Sequence, residues 1–92
     1  MKLLISSLLL SISAHALPDQ EISRACLETG ARKIAAQAKA LGCTLSAPAT
    51  ARFVDNREEN PSKYVWYSAP TYGACSREEI QVLVQYHNGE CL

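Results

Sequence analysis

Four cysteines, Cys26, Cys43, Cys75 and Cys91, constrain this chain more than any other feature of its sequence. A domain of fewer than about 80 residues rarely builds a core that is stable alone, and paired cysteines are the usual remedy in exported proteins. The cysteines lie 17, 32 and 16 residues apart, with no C-x-x-C knuckle. That spacing argues against a four-cysteine metal site and predicts two disulfides. No cofactor motif is present, and no metal is expected.

The first sixteen residues agree with export. Lys2 gives a positive start, Leu3 to Ile12 an apolar run, and Ala14-His15-Ala16 a small-x-small cleavage pattern. The run is shorter than the roughly 20 apolar residues that span a bilayer. Residues 1–16 are therefore expected to be a signal peptide and 17–92 a single small domain, secreted, or periplasmic in a bacterium. The segment after Ala16 carries eight basic and nine acidic side chains. Near-neutrality argues against a protein that tracks phosphates or adheres to anionic membranes by charge.

Between Gln20 and Leu41 the chain lacks proline and is rich in alanine. Leu27, Ala31, Ile34, Ala38 and Leu41 recur at helical spacing, with Cys26 and Ala35 at the margins. One continuous helix is predicted, capped by Asp19 or Ser23 and stopped by Gly42. Gly30 costs that helix up to ~1 kcal/mol relative to alanine. Three strands follow. "ATARFVD" places Thr50, Arg52 and Val54 opposite Ala51 and Phe53. "KYVWYS" is rich in aromatic and β-branched types, and "EIQVLVQYH" alternates most cleanly. "NREENPS" and "APTYGACSRE" read as loops, and Asn88-Gly89 as a turn. The expected fold is α+β, one N-terminal helix packed on a three-stranded antiparallel sheet, with the helix over Ile80, Val82, Val84 and Tyr86.

This topology selects the cysteine pairs. A continuous helix from Cys26 holds Cys43 about 24 Å away, whereas a disulfide needs Cα atoms within ~7 Å. The meander brings Cys75 back to the Cys43 end and Cys91 back to the Cys26 end. Cys26–Cys91 and Cys43–Cys75 are the predicted bonds.

Catalytic residues are sparse. His15 leaves with the signal, so His87 is the one imidazole left, with Glu78 and Glu90 the nearest acidic candidates in sequence. Glu58-Glu59 reads as solvated charge in a polar loop. No phosphate loop, nucleophile elbow, zinc motif or calcium loop occurs. The richest stretch is "KYVWYSAPTYGAC", residues 63 to 75. Tyr64 and Trp66 are expected on one strand face and Val65 and Tyr67 on the other. The rings either wrap the edge of a small core or form a binding patch of Tyr64, Trp66 and Tyr72, with Arg52 from the neighbouring strand.

An N-terminal helix, then "NPSKYVWYSAP", then "EIQVLVQYHNGEC", resembles the small guanyl-specific ribonuclease fold, especially the degenerate, ribonuclease-like secreted effectors of plant-pathogenic fungi. Pro61, Lys63, Tyr64 and Tyr67 carry the match, which covers about half of the chain after Ala16. Ser62 stands where the family's catalytic histidine would be, and Ser68 or Ala69 where its glutamate would be. No terminal catalytic histidine follows. The resemblance implies lost RNA cleavage and a secreted protein that binds a host protein or RNA. The leading expectation is a non-catalytic interaction module (effector-, inhibitor- or immunity-type), monomeric and docking a protein partner. The alternatives are a small hydrolase or ribonuclease using His87, and a structural envelope protein.

Overall fold

The computed structural model describes residues 17–56, 62–73 and 75–92. The segment read as a signal peptide, the Glu58-Glu59 pair and Pro61 lie outside them. Helix α1 (Asp19–Ala25) and helix α2 (Leu27–Leu41) precede five strands: β1 (Thr44–Leu45), β2 (Thr50–Asn56), β3 (Lys63–Tyr72), β4 (Glu79–His87) and β5 (Glu90–Cys91).

The helix predicted as continuous is interrupted at Cys26, whose φ of −97° and ψ of 4° leave the helical basin. Backbone bonds bridge the break, from Cys26 N to Ile22 O and from Gly30 N to Cys26 O, each 3.0 Å. The two segments are therefore still joined by backbone hydrogen bonds across the break. Nor does a side chain cap the start: Pro18 occupies the N-cap position of α1, and no side-chain bond caps it. Gly42 ends α2 at φ 70°, the left-handed conformation that glycine adopts without a Cβ penalty.

The buried stripe of the helices runs through Ile22, Cys26, Gly30, Ile34 and Ala38. Leu27 and Leu41, expected inside, are 39% and 42% exposed. The reason lies in Gly30. The Tyr67 ring lies so close that a Cβ there would sit 2.6 Å from two of its atoms. The helix thus turns its smallest residue toward the sheet and carries both leucines outward.

β3 is the spine of an antiparallel sheet. β1 and β2 pair along one of its edges and β4 along the other, and β5 adds to β4. The sheet is therefore wider than the expected meander, by the two-residue strands β1 and β5. β3 also continues through Pro70 to Tyr72, where a loop was expected. Proline fits because its position faces the gap between β2, which starts opposite Ser68, and β1, which ends opposite Thr71. The Pro70 carbonyl still accepts from Ser46 N at 2.9 Å.

Val65, Tyr67 and Ala69 of β3 and Ile80 and Val84 of β4 are fully buried against the helices, as the alternation of these strands predicts. The disulfides Cys26–Cys91 and Cys43–Cys75, with Cα atoms 5.5 and 4.9 Å apart, clamp the two ends of α2, one to β5 and the other to the connection between β3 and β4. Such bonds belong to an oxidising, extracellular-type environment. Among the described residues no helix is long and apolar enough to cross a membrane.

Candidate functional site: the open face of the sheet

One face of the sheet is taken by the helices; the opposite face carries Tyr64, Trp66 and Ser68 of β3 beside Gln85, Leu83 and Gln81 of β4. β2 completes it in an unexpected way. Strict alternation separates Arg52 from Phe53, but a bulge between Ala51 and Phe53 leaves Arg52 as an extra residue. Phe53 then pairs with Trp66, and the Arg52 guanidinium donates to Ser68 Oγ at 3.5 Å. Both side chains serve the open face, the kind of re-aiming that a bulge produces.

The result is a shallow groove of about 390 Å³ lined by Arg52, Phe53, Asp55, Trp66, Tyr67 and Gln81. Its floor is aromatic. The Phe53 and Trp66 rings lie 6.2 Å apart, centroid to centroid, tilted by 31°. Phe53 is 57% exposed, the larger part of its ring in water. Arg52 is positioned by Glu79 across the groove at 3.5 Å; that pair is largely solvated and adds at most ~1 kcal/mol. The site offers an apolar floor with a guanidinium, a carboxylate and an amide at its margins.

A second cluster lies farther along the same face. Ser62 precedes β3 and stands opposite His87; its Oγ is 2.7 Å from His87 Nδ1 and accepts from Gln85 Nε2 at 3.0 Å. Ser62 is buried. His87 and Gln85 both engage its hydroxyl, and its burial leaves little room for a substrate to approach the oxygen. His87 Nε2 has no hydrogen-bond partner among the described residues.

The expected binding residues separate. Arg52 and Trp66 share the groove, and Tyr64 is two residues from Trp66 along β3, register-paired with Asp55 and Gln85. Tyr72 is exposed but lies six residues beyond Trp66, roughly 20 Å along the strand. Phe53 was missed because a one-residue bulge leaves no mark in hydrophobic period. The Ser62–His87 contact was missed because it depends on the β3–β4 register. Among the described residues, no group of three or more His, Cys, Asp or Glu side chains is placed to hold a metal. No family model, curated protein or solved structure matches this chain.

Proposed function

We propose that this chain is a secreted, non-catalytic interaction module that grips a protein partner through the open face of its sheet. Trp66, Phe53 and Arg52 form the centre of the contact, with Tyr64 beside them. The observation that carries this reading is the Phe53–Trp66 pair, placed on the face opposite the helices with Phe53 mostly in solvent. Buried aromatic anchors beside an arginine dominate the energetics of protein interfaces. The near-neutral charge favours a protein over a nucleic acid as the occupant. Within the ribonuclease-like resemblance, Ser62 at the histidine position supports binding rather than cleavage.

The test uses oxidised protein on a solid support, challenged with extracellular extract. A captured protein is identified, repurified and titrated against wild type, Phe53→Ala and Trp66→Ala. The expected result is at least tenfold weaker binding for each variant, with melting preserved. Equal binding by all three chains removes the surface from consideration.

One observation favours a hydrolase instead, the 2.7 Å contact of His87 Nδ1 with Ser62 Oγ. Cleavage of RNA by the purified oxidised chain, lost in His87→Ala, would establish it. The burial of Ser62 and its second bond to Gln85 favour the binding module.

A further inference from the structure

The two edges of the sheet are treated differently. Beyond β4, β5 pairs with Tyr86 and His87, Leu92 N donates to Gln85 O at 2.7 Å, and Lys33 Nζ reaches Leu83 O at 2.9 Å. A short terminal strand and a lysine are recognised means of blunting an edge. Among the described residues the β2 edge has neither, only the bulge at Arg52; β2 is seven residues long and pairs, among those residues, with β3 alone.

The direction of its backbone groups follows from the ladder. Thr71 N bonds to Glu78 O on the β4 side, whereas Pro70 O accepts from Ser46 on the β1 side. Odd residues of β3 therefore bond toward β4 and even residues toward β1 and β2. Phe53 and Asp55, opposite Trp66 and Tyr64, spend their amides on β3. Ala51 and Val54, opposite Tyr67 and Val65, turn theirs outward. Among the described residues nothing pairs with the backbone of Ala51 or Val54.

Unspent backbone donors and acceptors along an extended edge have one good polypeptide complement, another extended chain. We propose that the outer edge of β2 receives an extended segment of a protein partner as an added strand, with one apolar side chain of that segment seated against Phe53. The bulge at Arg52 interrupts the outer edge between Ala51 and Phe53, so the added strand bridges it, bonds to both Ala51 and Val54, and needs the ring contact for affinity. Selectivity comes from the groove: the added strand's side chains on the open face alternate past Phe53 and Asp55. This deepens the proposed binding function and rests on it.

A displayed library of linear heptapeptides, selected on the oxidised protein, supplies the probe. In the free protein the amides of Ala51 and Val54 exchange with solvent quickly, and those of Phe53 and Asp55 slowly. An enriched peptide is expected to slow Ala51 and Val54 at least tenfold. Its affinity should fall at least tenfold when alternate peptide amides are N-methylated or when the protein carries Ala51→Pro. Proline is tolerated where a strand's N–H faces solvent, and the exchange readout on wild type stands even if that variant misfolds. The proposal is overturned if no peptide is enriched, or if binding leaves both amides unchanged. It is equally overturned if the amides slow with protein concentration alone, which marks a second copy of this chain as the occupant. Partner capture that depends on Phe53 but leaves β2 exchange untouched sinks the added strand and spares the binding function. Absence of any capture sinks that function itself.

Discussion

Tyr67 ties the two layers together. Its ring is fully buried over Gly30, and its hydroxyl donates to the Ser23 carbonyl at 2.5 Å. Burial pushes its phenol from the ordinary 10.0 up to about 12. The folded chain thus holds this proton more tightly than the unfolded one. The associated stability is complete below pH 10 and is lost as pH rises from 10 through 12. Urea unfolding at pH 7 to 12 should show that decline in wild type and a flatter curve in Tyr67→Phe. At pH 7 the same variant should lose about 1 kcal/mol for the missing hydrogen bond. Gly30 gives a test of opposite sign to simple propensity. Alanine gains up to ~1 kcal/mol as a helix former, but its methyl meets a ring fixed at both ends, and overpacking costs about 1–3 kcal/mol. Gly30→Ala is expected to lower the melting temperature; a rise would show that the ring yields.

At the scale of elements, the disulfides are unequal. Each closes a long loop, with sequence separations of 65 and 32 residues, and the chain-entropy estimate is about 4 kcal/mol for either. Cys26 is fully buried within the core, whereas Cys43 and Cys75 are half-buried at the far end of α2. Stepwise reduction followed by alkylation and mass spectrometry should therefore find Cys43 and Cys75 labelled first. Replacing Cys26 and Cys91 by alanine should destabilise more than replacing the other pair, because core packing goes with the bond. Much of this layout was legible in the sequence. The pairing followed from helix rise and strand direction, and β4 from its strict alternation. The break at Cys26 was not, because a disulfide-bonded residue can leave the helical basin while its neighbours keep helical spacing. Nor was the outward turn of Leu27 and Leu41, because apolar periodicity cannot register that a glycine admits a tyrosine ring. The open face was legible by halves: Trp66 and Tyr64 by alternation in β3, but not Phe53, whose facing is set by the bulge.

At the scale of the whole molecule, two helices cover one side of a sheet whose other side presents aromatic rings. Removing Phe53 should cost less than about 1 kcal/mol, since its ring is mostly solvated and gives up chiefly its tilted contact with Trp66. A core ring of that size would cost 3–5 kcal/mol. Everything proposed for function depends on that side being uncovered. Trp66 reports on it directly, because it is the chain's sole tryptophan. The decisive measurement is collisional quenching of its fluorescence by acrylamide in the folded, oxidised protein, beside the Phe53→Ala variant. The expected result is measurable quenching in wild type, increased in the variant, with melting almost unchanged. A tryptophan that stays unquenched until the chain unfolds would mean that a further layer covers the rings, and the docking face would not exist.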